Sequence, residues 1–217
     1  MAISGEGIKG IRTLGNVRGI KTTLTIPWTY GSKDAQGNDA TNYFDYYLGL
    51  GSTDPTYHGW ESRTDVEAGV FYYTKKGWVI FLNFAAYSTS GGYWNEQAIS
   101  VTPGSAHTME LHNNGNGTAS FYWDGSLKWT ASIASWMNPL DRLPATEGFA
   151  KVVHGKVNSS GNMFYSGATT GNLEITTSSR NSYSSWSDTA HGYAHVDKLD
   201  GTGFTVTNRF PLSTNLA

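Results

Sequence analysis

The sequence predicts an all-β chain, folded as a two-sheet antiparallel β-sandwich of the jelly-roll kind. Three observations predict it. Apolar residues recur at every second position in stretch after stretch, while no segment sustains a 3.6-residue period beyond about three turns. Clusters of Gly, Asn, Asp and Ser punctuate these stretches, in a chain with 26 glycines. No internal repeat or linker interrupts the 217 residues, so residues 1–217 read as one domain whose many short strands must pack as two layers.

The elements follow in order. In VRGIKTTLTIP (17–27) alternation puts Ile20, Thr22, Leu24 and Ile26 on one face. YFDYYLGLG (43–51) sets Phe44, Tyr46, Leu48 and Leu50 on one face and Asp45, Tyr47 and Gly49 on the other. GWVIFLNFAAY (77–87) is apolar on both faces, as a central strand is. HTMELHN (107–113) turns Met109 and Leu111 inward. GTASFYWDGSLKWTASI (117–133) is a hairpin about Asp124-Gly125, the two-residue turn that suits right-twisted strands. FAKVVHGKV (149–157) and GNLEITT (171–177) are further strands. YAHVDKLDGTGFTVTNRF (193–210) is expected to close the chain as a hairpin about Asp200-Gly201. SIASWMNPLDRL (132–143) is the one helix candidate, held to a turn or two by Pro139. The Ser-rich TTSSRNSYSSWSD (176–188) reads as a surface loop or edge strand in which Tyr183 and Trp186 need cover.

Composition narrows the function. The net charge is −2 and no Lys/Arg run occurs, which argues against nucleic acid as a partner. No stretch approaches the ~20 apolar residues of a membrane span, so membrane insertion is not expected. Without cysteine there is no disulfide, thiol nucleophile or Cys-ligated metal. Only 15% of residues are charged, against 13 tyrosines and 8 tryptophans, a balance common in secreted β proteins. The start MAISGEGIKG carries no signal pattern and reads as a mature terminus, giving an expected secreted or extracytoplasmic location with the leader removed.

ESRTDVEAGVFYY (61–73) concentrates chemistry. Alternation sends Val66, Ala68 and Val70 to the core and puts Arg63, Asp65, Glu67, Gly69, Phe71 and Tyr73 on the opposite face. Gly69 weakens a strand and marks a place where something approaches closely. Tyr47 and Gly49 before it, and Phe81 and Asn83 after it, extend the same pattern of rings and polar groups. The loop TYHGWES brings His58 and Trp60 to its start. These residues form the candidate ligand set: Arg63, Asp65, Glu67, Tyr47, Tyr73, Asn83, Trp60 and His58. A plain salt-bridge ladder on a wet face is the structural alternative. Among Trp78, Trp94, Trp123, Trp129, Trp136 and Trp186, most are expected in the core, and any left exposed is a stacking platform for a sugar ring.

VEAGV on a central strand resembles the glutamic peptidases of the eqolisin and neprosin types, all-β sandwiches with a catalytic Gln or Glu in a QTGV or EAGW setting. TLTIP with YYLGLGS, ISVTPGSAHTMELHNNGNGTASFYWDG, and GFAKVVHGKV resemble the neighbouring strands, about two thirds of the chain in pattern. The resemblance puts Glu67 at the first catalytic position and the second, a Glu, on the 149–157 strand. That strand offers Lys151 or His154 instead. Glu67 with His154 is not the family's pair, and a cation beside Glu67 would keep it ionised. On that ground no cleavage is expected near pH ~3–4, unless Glu147 or Glu174 completes the pair. Size, composition and the EAGV strand also resemble the YrpD-like secreted proteins of Gram-positive bacteria, a resemblance that implies no activity. A concanavalin-like sandwich is the fold implied.

Three functions remain open. A jelly roll that binds an extended polymer, a polysaccharide or cell-surface glycan, without catalysis comes first. A glutamic-peptidase-like hydrolase using Glu67 is second. A glycoside hydrolase or polysaccharide lyase is third, with Glu61, Asp65 or Glu96 as partner carboxylate. No cofactor or metal is expected. KDAQGND (33–39) lacks the closing Glu of a calcium loop, and His107 and His112 fall on opposite faces of one strand. No Ser-His-Asp order, phosphate loop or HExxH motif appears.

Overall fold

The structure is a computed structural model and describes residues 7–13, 17–31, 42–52, 66–73, 76–84, 93–133, 146–156, 163–170, 173–187, 194–198, 204–209 and 212–216. Among these it is all-β, with two antiparallel sheets and no helix. Residues 134–143 of the 132–143 helix candidate, the 33–39 loop, and Glu61, Arg63, Asp65, His58 and Trp60 lie outside the described residues.

One sheet has seven strands: β1 (Gly7–Arg12), β4 (Asn42–Ser52), β5 (Val66–Tyr73), β6 (Gly77–Phe84), β7 (Tyr93–Ala98), β11 (Thr146–Lys156) and β15 (Ala194–Lys198). Their order is β15-β1-β11-β4-β5-β6-β7. The second sheet is built on β2 (Gly19–Thr25), β8 (Ala106–Asn113), β9 (Thr118–Trp123), β10 (Ser126–Ser132), β12 (Met163–Thr170), β16 (Phe204–Arg209) and β17 (Leu212–Leu216). Short β3 (Trp28–Gly31), β13 (Glu174–Thr176) and β14 (Ser184–Ser185) pair beside this path.

The core lies where β4 and β5 meet β2 and β8. Alternation fills it as expected: Ile20 and Leu24 on β2, Tyr46, Leu48 and Leu50 on β4, Val66, Ala68 and Val70 on β5, and Met109 and Leu111 on β8 are fully buried. Each large aliphatic side chain so buried contributes about 1.5–3 kcal/mol. Trp123 and Trp186 are buried, and Trp78 and Trp129 pack partly buried against the core. The hairpin turn forms as read, with positive φ at both Asp124 and Gly125, which is the primed turn.

Two strand assignments change. The segment 193–210 is not a hairpin: β15 pairs with β1 in one sheet, while β16 pairs with β17 in the other. Local turn chemistry at Asp200-Gly201 does not decide between a return along the same sheet and a crossing to the other. The 149–157 strand starts earlier, at Thr146, and therefore includes Glu147.

Segment 177–186 gets its cover from polar chemistry. Arg180 donates from Nε and Nη2 to the two carboxylate oxygens of Glu110, at 2.5 and 2.8 Å. Its guanidinium lies 3.4 Å from the Tyr122 ring centroid. The Tyr183 hydroxyl donates to Glu110 Oε1 at 3.2 Å, and burial first, then Glu110, pushes that phenol far above its usual range. His112 Nε2 donates to the Ser178 carbonyl at 3.2 Å, and burial is the main cause that lowers this imidazole's pKa. Unfolded His112 takes a proton below pH ~6.5, which the folded chain resists. Its contribution is therefore present above that pH and is lost as pH falls, at most about 1.4 kcal/mol per pH unit. Urea midpoints between pH 7 and 5 should fall in the native chain and fall less in His112→Gln.

Candidate functional site

The two sheets differ in what their outer faces offer. On the larger sheet, segment 177–186 lies against β8, β9 and β2 and takes up their polar side chains. The seven-stranded sheet carries Glu67, Asn83 and Trp94 in register on its outer face.

β5 is an inner strand of that sheet, flanked by β4 and β6 over its whole length. With Val66, Ala68 and Val70 inward, Glu67 points away from the core and is partly exposed. Directly opposite residues in a sheet share a face. Glu67 stands opposite Gly49 on β4 and Asn83 on β6, and Asn83 stands opposite Trp94 on β7. Asn83 is partly exposed and Trp94 is 53% exposed. Tyr73 lies on the same face of β5 by alternation, six pairs along from Glu67.

Gly69 does accept a close approach, but by the chain itself. A Cβ there would strike the Tyr46 carbonyl oxygen and come within 2.6 and 2.7 Å of Cα and Cβ of Tyr47. Tyr47 crosses this gap and sets its ring edge-on to Phe81 at 6.4 Å. It is thereby buried, with 6% of its surface exposed, and is a packing residue rather than an open ligand contact. Phe71 also meets Phe81, at 5.9 Å and 64°. These contacts explain why β6 is apolar on both sides: Ile80 and Leu82 enter the core, while Val79 and Phe81 are buried on the outer face.

The second site strand is β11, which pairs with β4 along its full length. The register places His154 opposite Phe44, itself opposite Tyr72, on the face away from Glu67. Pairing Glu67 with His154 is therefore corrected: strand alternation puts the two on opposite sides of the sheet. Lys151 stands opposite Tyr47 and so shares Glu67's face, but Tyr47 occupies the strand between. Glu147 stands opposite Gly51, on the same face again. Glu67 and Glu147 are thus separated by one strand that presents Gly49 and Gly51 beside them, two residues without side chains. Strand spacing and rise put their Cα atoms about 12 Å apart. Reading residues 149–157 as the strand left Glu147, named as a candidate to complete the pair, off that strand by starting two residues after it. The signal was available, since TEGFAKVVHGK alternates through Glu147.

A second constellation was invisible in the sequence. Ser105 Oγ lies 2.9 Å from His107 Nε2, and His107 Nδ1 lies 2.8 Å from Asp124 Oδ2. The connectivity is that of a serine hydrolase triad. Its wiring is not. Ser105 Oγ donates to the Thr102 carbonyl at 2.6 Å, which turns its proton from the imidazole. The Gly104 and Ser105 N–H groups donate to the carbonyls of Ile26 and Thr102, leaving neither for an oxyanion. Asp124 Oδ1 also accepts from the Thr108 N–H, and the His107 ring stacks on Trp123 at 4.9 Å. The set pins the β9–β10 turn to the start of β8. A fluorophosphonate probe should leave Ser105 unlabelled by mass spectrometry.

Among the described residues, no group of three His, Cys, Asp or Glu is placed to hold a metal ion. Nor is any helix there long and apolar enough to cross a membrane.

No family model matches the chain, and no curated protein sequence does; the resemblance to YrpD-like proteins gains no support from either. Solved structures are similar to it in fold. Scytalido-glutamic peptidase, with a peptide-based transition-state analogue, aligns at TM-score 0.56 and 10% identity over 98% of this chain and 97% of that one. A member of the eqolisin family of peptidases, in complex with the tripeptide Ala-Ile-His, aligns at 0.52 and 9% over the same shares. A Bacillus licheniformis β-glucanase aligns at 0.45 and 13% over 77% and 70%. At such identities the likeness is one of fold, and the fold is the antiparallel β-sandwich that the alternation predicts.

Proposed function

We propose that this chain is a hydrolase that cuts extended polypeptide with a pair of carboxyls, Glu67 and Glu147. The observation that carries the reading is the register that puts both on one sheet face across the Gly49 and Gly51 gap. One carboxylate takes a proton from water as the water oxygen bonds to the scissile carbonyl carbon. The other, protonated, donates to the carbonyl oxygen as charge develops there. The carbon–nitrogen bond then breaks, and the nitrogen leaves with a proton from a carboxyl. A carboxyl acid and a carboxylate base coexist only where carboxyls titrate, so the activity belongs to acid pH.

The expectation of no cleavage rested on a cation, Lys151 or His154, beside Glu67, and named Glu147 or Glu174 as the carboxyl that would complete the pair instead; the register that sets Glu147 opposite Gly51 supports the latter reading. The fold shared with glutamic peptidases supports the same reading. A glycan-binding role without catalysis draws on Trp94 and the partly buried Phe71 beside it, because Tyr47 and Phe81 are buried. The test is incubation with a denatured protein near pH ~3–4. Cleavage by the native chain that Glu147→Gln abolishes is expected. Absence of cleavage across the acid range, or cleavage that survives Glu147→Gln, overturns the proposal.

A further inference from the structure

Trp94 stands apart among the rings of the site. It is 53% exposed on β7, at one end of the described strand order of the seven-stranded sheet. Its inner face is not loose. The indole stacks on Phe81 with centroids 5.2 Å apart and planes 12° apart, and Phe71 flanks it at 6.2 Å. Its Nε1 donates to Glu96 Oε2 at 3.1 Å, and Glu96 Oε1 accepts from Lys76 Nζ at 2.6 Å. One face and the polar edge of the ring are thus fixed, and the other face is presented to solvent as a flat apolar surface that needs little ordering before a ligand binds.

Its position relative to Glu67 is also fixed. The two share a face and are joined by the direct pairs Glu67 with Asn83 and Asn83 with Trp94. Two strand spacings separate them, about 10 Å. An extended peptide laid across the strands advances about 3.3 Å per residue, so that distance is spanned by roughly three residues. The rim favours a side chain over a sugar. Sugar recognition needs several convergent polar groups beside the stacking ring; both oxygens of Glu96 already serve Trp94 and Lys76, which leaves the single amide of Asn83 directly opposite the indole.

We infer that Trp94 is a substrate-selecting platform which stacks an aromatic or proline side chain of an extended peptide, about three residues from the bond that Glu67 addresses. This rests on the hydrolase reading above, and the experiment separates the two. Binding is measured first, in the Glu67→Gln background, by indole fluorescence. The probes are a seven-residue peptide bearing one Phe, its Phe→Ala counterpart, and β-glucan oligosaccharides. The Phe peptide is expected to bind roughly 3- to 10-fold more tightly than the Ala peptide, the range of a ring–ring contact. Trp94→Ala, read by peptide polarisation, should erase that difference and Trp94→Phe should keep it. Cleavage-site mapping on a denatured protein should then show a ring or proline enriched near the third position from the cut, with the enrichment absent in Trp94→Ala. Cleavage with an unaltered site pattern in Trp94→Ala overturns the platform and leaves the hydrolase standing. Peptide discrimination without any cleavage overturns the hydrolase and leaves the platform standing. Oligosaccharide binding in place of peptide, or no binding of any probe, overturns the platform.

Discussion

Peptide cleavage should fall by about 10²–10⁴ in Glu67→Gln and by a similar factor in Glu147→Gln, and the double variant should be no slower than the worse single one. The equality follows from the division of labour. A base without an acid leaves the carbonyl oxygen's charge unmet, and an acid without a base leaves the water unactivated. Either loss removes the concerted route, and removing the second group then costs nothing more. Two carboxylates that merely bind substrate would behave otherwise: each substitution would raise KM, the effects would add, and kcat would hold. Steady-state kinetics of the four proteins on one peptide decide between these. The acid range in which the pair must work is also the range in which buried His112 is under pressure to protonate. The pH of greatest activity should therefore lie below the pH of greatest stability.

How much of this was legible in the sequence depends on the range of the interaction. Alternation is local, and it placed Val66, Ala68, Val70, Met109 and Leu111 in the core and Glu67 on the opposite face. The Asp124-Gly125 turn is likewise a two-residue matter and formed as read. What alternation does not supply is which strand lies beside which. The return of β11 alongside β4 depends on contacts about a hundred residues apart, and with it comes the register that sets Glu147 opposite Gly51. The same ignorance turned β15 and β16 into a false hairpin. Tyr47 shows a finer limit. Its face was right, but its burial depends on the space that Gly69 leaves one strand away and on Phe81 one strand further. The assembly of Ser105, His107 and Asp124 needs the β8–β9 pairing before it can be seen at all.

Gly69→Ala should be the most destabilising single-methyl change on β5, at about 3 kcal/mol or more. The added Cβ meets the Tyr46 carbonyl oxygen and the Cα and Cβ of Tyr47, atoms of β4 that have no rotamer by which to escape. β4 cannot move away as a body either. It is bonded to β5 on one side and to β11 on the other, and shifting it would open eight residue pairs with β5 and eleven with β11. For a chain of this size such a loss lowers Tm by roughly 6–12 °C. Gly104→Ala is the control. Nothing lies within 4 Å of a Cβ there, and its cost comes only from a φ of +84°, about 1–2 kcal/mol. The comparison also tells the two roles of Gly69 apart. If the glycine left room for a ligand, Gly69→Ala would keep the native Tm and lose substrate binding. If it admits Tyr47, Tm falls first, and the aromatic strip of Tyr47, Phe81 and Phe71 loses its packing with it. A thermal scan of Gly69→Ala at the Gly104→Ala value or above would remove the strand-approach account and return Gly69 to the ligand.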